Sequence, residues 1–201
     1  MHPLFEHTDI ILASRSPRRR QLLEGMGLTF RVVVTETSEE VPPGLSVPLA
    51  ARQLAEEKAR AVPAGLIHDN TLIIAADTLV VVDRLILGKP SGSEEARGML
   101  QLLSGKEHEV VTGVCLREKS RLHSFSVSSR VRFKPLPEEE IEYYIKACQP
   151  YDKAGAYGIQ EWIGYTGVEH IEGSFFNVMG LPTYRLWEEM KRFVSLKGEP
   201  G

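Results

Sequence analysis

The sequence specifies an α/β fold, a mixed β-sheet with flanking helices, and three observations carry that assignment. A short apolar run at 9–13 gives way to a capped helix and then to a run rich in β-branched residues, so the chain opens as strand, helix, strand. Two long alternating stretches, 109–117 and 123–133, suit neighbouring antiparallel strands, which makes the sheet mixed. Hydrophobic residues make up 42% and charged residues 25% of 201, the balance of a globular chain long enough to bury its own core.

Each element follows from local chemistry. After strand 9–13, Ser16 can cap a helix and Pro17 suits its first turn, Leu22, Leu23 and Met26 give it an apolar stripe, and Gly27 stops it. Residues 30–34 read as the second strand. Past the turn at Pro42, Pro43 and Gly44, residues 47–61 form a helix with Leu49, Leu54 and Ala55 toward the core and Arg52, Glu56, Glu57 and Arg60 toward water; Pro63 and Gly65 end it. Residues 72–76 are a buried strand, and 80–82 with 85–87 make a hairpin turning at Asp83 and Arg84. Gly88, Lys89 and Pro90 follow as a tight loop.

Ser93 starts a helix to Leu103 with Glu94 and Glu95 in its dipole-favoured first turn, closed by Ser104 and Gly105. A further capped helix spans 137–147. A glycine-rich stretch covers 155–180, and 182–193 is a final helix with Leu186, Met190 and Phe193 on one face. Without repeats, low-complexity tracts or a long linker, residues 1–196 form one α/β domain, with 197–201 a flexible tail.

Several function classes are excluded. The net charge of −3 does not support a surface devoted to nucleic acid, so any anion site is local. The N-terminus lacks the basic start and long apolar run of a signal peptide, and no apolar run is long enough for a membrane span, so a cytoplasmic protein is expected. Cys115 and Cys148 have no CxxC partner and are expected to be buried thiols; the six histidines show no metal-ligand spacing.

Three stretches can carry chemistry. Ser14, Arg15, Ser16, Pro17, Arg18 and Arg19 lie where a strand gives way to a helix N-terminus, which favours an anion through free N–H groups, hydroxyls and guanidinium forks; the alternative is a solvated basic first turn. Asp77 sits between apolar segments, where a carboxylate needs a donor, a cation or a metal unless it merely makes a structural turn. In 152–160, small residues let backbone approach a ligand and Gln160 either reads a base edge or caps a glycine-rich loop. Lys58 on its helix and Lys89 between glycine and proline are weaker candidates. Glu39 and Glu40, in an acidic run from Glu36, either bind a divalent ion or solvate a loop.

Taken together, SxSPRR at 14–19, AEEKA at 55–59, AADT at 75–78, GKP at 88–90, LSG at 103–105, DKAGAYGIQ at 152–160 and NVMGLP at 177–182 resemble the Maf family in order and spacing over nearly the whole chain. The resemblance implies a twisted mixed sheet in two lobes around a nucleotide-binding cleft, often paired as a homodimer. It implies a nucleoside triphosphate pyrophosphatase in which Asp77 accepts a proton from the attacking water and Ser14, Arg18, Lys58 and Lys89 handle phosphate. It places Glu39 on the side of a divalent metal, Mg²⁺ or Mn²⁺, with Glu40 a substitute because the run around it departs from the more acidic one often seen there. Arg19, Thr78 and Gln160 match the branch acting on dTTP and UTP, rather than the 7-methyl-GTP branch, and modified pyrimidine nucleotides fit the same housekeeping role.

Two other classes compete. A non-catalytic nucleotide-binding regulator of septum formation keeps the nucleotide site without needing Asp77, whereas the intact set of Asp77, Lys58, Lys89 and Arg18 favours an enzyme. A nucleic-acid-binding module lacks the aromatic-rich basic face it needs.

Overall fold

The structure, a computed structural model, describes residues 3–38, 40, 41 and 43–195. Glu39 and the tail 197–201 lie outside the described residues. In chain order the elements are β1 (Asp9–Ala13), α1 (Pro17–Gly25), β2 (Phe30–Val32), α2 (Val47–Arg60), β3 (Thr71–Val82), β4 (Leu85–Leu87), α3 (Ser93–Leu103), β5 (Glu107–Glu118), β6 (Arg121–Phe133), α4 (Glu138–Cys148), α5 (Trp162–Gly167), β7 (Val168–Glu172), α6 (Phe175–Met179) and α7 (Thr183–Ser195). Among the described residues the strands form one sheet in the order β2-β1-β3-β5-β6-β7, with β4 added to β3. β1 runs parallel to β2 and β3, while β4 and β7 pair antiparallel to β3 and β6, so the sheet is mixed as the sequence requires. No helix among the described residues is long and apolar enough to cross a membrane.

The chain divides into two compact units. The first comprises Met1–Asp77, Thr112–Val127 and Gly180–Gly201. Its core forms where α2 covers one face of the sheet: Ala55, Ala59 and the following Val62 pack with Ile11 and Ala13 of β1, Ile73 and Ala75 of β3, and Cys115 of β5. Side chains alternate along a strand, so Ile73 and Ala75 point to the same face, and alanines at 13, 55, 59 and 75 let the helix approach closely. Gly113 on β5 completes the approach: a Cβ there would run into the Ala51 carbonyl and lie 2.5 Å from the Arg52 nitrogen. The Arg31 fork on Asp9, at 3.0 and 2.8 Å, ties β2 to β1, and Thr71 Oγ1 donates to the same carboxylate at 3.0 Å. The Arg31 hydrogen bond holds the Asp9 carboxyl below the usual carboxylate range.

The second unit comprises Thr78–Val111 and Ser128–Met179. Val82 pairs with Leu85, and the two turn residues between them, Asp83 and Arg84, have φ of 50° and 68°, the left-handed pair that a two-residue hairpin demands. His108, Phe133 and Tyr157 form an aromatic cluster with centroids 5.0 to 5.3 Å apart.

Four expectations are corrected. β2 ends at Val32, short of Val34. Residues 72–76 and 80–82 belong to one continuous strand, β3, so Asp77 lies within a strand and not after one. Leu49 is exposed, because Ala50, Ala51, Leu54, Ala55 and Ala59 define the buried face of α2. Cys115 is buried, but Cys148, at the last turn of α4, is only half-buried.

Candidate active site

In the first unit the site is built where β1 stops. β1 pairs with β3 up to Ala13 opposite Ala75, after which β3 continues and β1 turns away into α1. Ser14 is the first residue past that pair, and Asp77 stands two residues beyond it on β3. Asp77 continues the Ile73–Ala75 row and therefore faces α2, the helix that carries Lys58. Lys58 Nζ donates to Asp77 Oδ1, with both side chains only 11% exposed. A buried carboxylate inside an apolar strand is tolerable because this ammonium meets it.

Ser14, also buried, organises the turn into α1: its Oγ accepts from the Ser16 backbone N–H at 3.2 Å and from Arg19 Nη1 at 3.4 Å. Ser16 caps α1 by accepting from the Arg19 backbone N–H at 3.5 Å, with Pro17 in the first turn, as the sequence indicates. The first turn of α1 holds no acidic residue, and Arg18, Arg19 and Arg20 bring positive charge to the positive end of the helix dipole. An anion there relieves both. Arg19 is also a brace, since its Nε donates to the Gly180 carbonyl at 2.8 Å and so joins the SxSPRR segment to NVMGLP. Nothing local foretells that bond, which spans 161 positions.

In the second unit, Thr78 is half-buried and, by strand alternation, faces away from the Asp77 side of β3. Lys89 is exposed and Pro90 buried. The Gly155 N–H donates to the Gly88 carbonyl at 3.0 Å, which fastens the glycine-rich loop to the residue before Lys89. Gly155 has φ of +69°, and a Cβ there would press on Val80 at 3.0 to 3.3 Å, so glycine is required for both reasons. Gln160 is half-buried on the same loop, and its Oε1 is shielded from solvent with no hydrogen-bond partner among the described residues.

The first unit thus gathers Ser14, Arg18, Arg19, Lys58 and Asp77, and the second joins the loops of Lys89 and Gln160. The 152–160 stretch singled out in the sequence contains Lys153 without a role for it, and Glu161 and Tyr144 were passed over. Lys153 and Glu161 are paired at 3.0 Å, and Tyr144 donates to Glu161. A lysine and a glutamate bracketing a glycine-rich loop were the available signal.

The family model described as Maf-like protein matches residues 9–193. A dTTP/UTP pyrophosphatase of Porphyromonas gingivalis (strain ATCC 33277) is 50% identical over 186 residues, covering 92% of this chain and 94% of that protein. A protein of the same name from Phocaeicola vulgatus is 49% identical over 188 residues, covering 93% and 97%. One from Cytophaga hutchinsonii is 50% identical over 191 residues, covering 94% and 86%.

Proposed function

The chain belongs to the Maf-like protein family, and from that premise we propose that it is a nucleoside triphosphate pyrophosphatase hydrolysing dTTP and UTP to the nucleoside monophosphate and pyrophosphate. The observation that carries the chemistry is the buried Lys58–Asp77 pair, set two residues beyond the point where β1 turns into the arginine-rich start of α1. A carboxylate held there by one cation, next to a helix N-terminus that favours phosphate, suits hydrolysis by a directed water.

In this mechanism Ser14 and Arg18 hold phosphate oxygens, Arg18 through its guanidinium fork. Asp77 accepts the proton of a water that attacks the α-phosphorus, and pyrophosphate leaves without a covalent enzyme intermediate. Lys58 fixes the Asp77 carboxylate in place. Lys89 is proposed as a further phosphate contact, and Arg19, Thr78 and Gln160 as residues that favour thymine and uracil.

A divalent ion, Mg²⁺ or Mn²⁺, belongs to this reading. Asp77 supplies a hard carboxylate of the kind such an ion takes, and the substrate's own phosphate oxygens would supply most of the rest of its shell. Glu39 is proposed as a second carboxylate toward it. The bound ion neutralises charge on the triphosphate. A cytoplasmic enzyme acting as a homodimer, and a role in keeping unwanted pyrimidine nucleotides, modified ones included, out of nucleic acid, complete the proposal.

The test is pyrophosphate release with Mg²⁺ or Mn²⁺ over dTTP, UTP, CTP, 7-methyl-GTP and ITP. Release from dTTP and UTP is expected. Release confined to 7-methyl-GTP overturns the base preference and keeps the reaction; nucleotide binding without turnover makes the protein a regulator of the septum-formation kind.

A further inference from the structure

The loop that carries Gln160 is closed by a ring of polar contacts, buried at Lys153 and Tyr144 and half-buried at Glu161. Lys153, 7% exposed, places Nζ 2.6 Å from Asp152 Oδ1 and 3.0 Å from Glu161 Oε1, so its charge is met at both sides. The other carboxylate oxygen of Glu161 accepts from the Tyr144 hydroxyl. That hydroxyl in turn accepts from the Gly158 backbone N–H at 2.9 Å, inside the same loop. Burial first, and then the bond to Glu161, push the Tyr144 phenol far above its ordinary range, so it remains an O–H donor. The Glu161 backbone closes the turn by donating to the Gly158 carbonyl at 2.9 Å.

Gly158 is where this ring meets Gln160. A Cβ on Gly158 would lie 2.8 Å from the Glu161 carboxyl carbon and 3.1 Å from Gln160 Nε2, so carboxylate and amide share the niche left by the absent side chain. The amide's Oε1 is shielded and without a partner among the described residues. An amide kept in one orientation offers an acceptor and a donor side by side. Uracil and thymine present the complement, an N3–H beside a carbonyl oxygen, whereas cytosine presents an acceptor at N3. An amide free to turn over loses that discrimination, because its two ends exchange.

We propose that Glu161, braced by Lys153 and Tyr144, is a positioning residue that fixes the Gln160 amide and thereby sets the preference for uracil and thymine over cytosine. The inference rests on the proposed role of Gln160 in contacting the base. Glu161 and Tyr144 touch no reacting atom, so their loss is expected in KM and in base choice, with kcat preserved.

The experiment measures kcat and KM for UTP and CTP in the wild type, Gln160→Ala, Glu161→Gln, Tyr144→Phe, Lys153→Arg and Lys153→Met. Glu161→Gln and Tyr144→Phe are expected to raise KM for UTP about tenfold, to keep kcat within about twofold, and to lower the UTP-to-CTP ratio of kcat/KM about tenfold, as an equivalent loss of uniform binding and discrimination requires. Lys153→Arg should retain the ratio that Lys153→Met loses. If Gln160→Ala collapses the ratio while folded Glu161→Gln and Tyr144→Phe keep it, the positioning role is wrong and the base contact stands. If Gln160→Ala itself leaves the ratio unchanged, the base contact is wrong and the positioning role falls with it.

Discussion

Lys58 on α2 and Asp77 on β3 are joined as an ion pair whose two side chains are each 11% exposed. The relationship is set by packing: alanines on both elements bring α2 onto the Ile73–Ala75–Asp77 row, and Lys58 arrives on the helix that covers it.

Asp77→Asn keeps the shape of the side chain and removes the proton acceptor. Pyrophosphate release from dTTP and UTP is expected to fall by about 10²- to 10⁴-fold, while nucleotide binding persists. Single-turnover release together with equilibrium binding checks this; near-normal turnover would remove Asp77 from the mechanism.

Lys58→Met leaves the Asp77 carboxylate buried without its cation, at a cost of about 3 to 5 kcal/mol in unfolding free energy. Replacing both, as Lys58→Met with Asp77→Leu, is expected to recover much of that loss while the protein stays inactive. Urea titrations of the three proteins at pH 7 decide it, and a double variant no more stable than the single one would show that the pair is not a coupled unit.

Gly113→Ala drives a methyl group into the backbone of α2 at Ala51 and Arg52. Neither side of that contact is a flexible side chain, so the helix must shift, with a stability loss of about 1 to 3 kcal/mol. Lys58 moves with α2, and turnover is expected to fall more than the folded fraction does. Activity per folded molecule is the readout, and an unchanged value would mean that β5 yields and α2 does not.

Much of this was legible in the chain. The cap at Ser16, the hairpin at Asp83 and Arg84, and the glycine stop at Gly27 depend on neighbouring residues, and they stand where local chemistry put them. Asp77 is conspicuous as a carboxylate among apolar residues, and the local pattern places it after a strand. Its stabilising partner is 19 residues away, and nothing local reveals that the strand continues through it. The glycine-rich stretch also carries α5, β7 and α6, for which its composition holds no periodic signal. Short elements there owe their form to tertiary packing, as where a Cβ on Gly167 would press on Leu136 at 3.0 Å and meet Phe133 at 3.6 Å.

His108 gives the fold an acid-sensitive point. It is 3% exposed, its Nε2 lies 2.7 Å from the Tyr157 hydroxyl, and its Nδ1 has no partner among the described residues. Burial pushes the imidazole down from its ordinary 6.5 to about 4. Between those values the unfolded chain binds a proton that the folded protein does not, so stability rises with pH across the window. The contribution is complete above pH 6.5 and is lost as pH falls through 4. From pH 7 to pH 5 the wild type is expected to lose about 2 kcal/mol through this group. His108→Gln keeps an amide within reach of Tyr157 and has no proton to gain, so its loss over the same interval should be smaller by that amount. Urea unfolding of both proteins at the two pH values measures the difference, and equal losses would mean that the imidazole is solvated as it titrates.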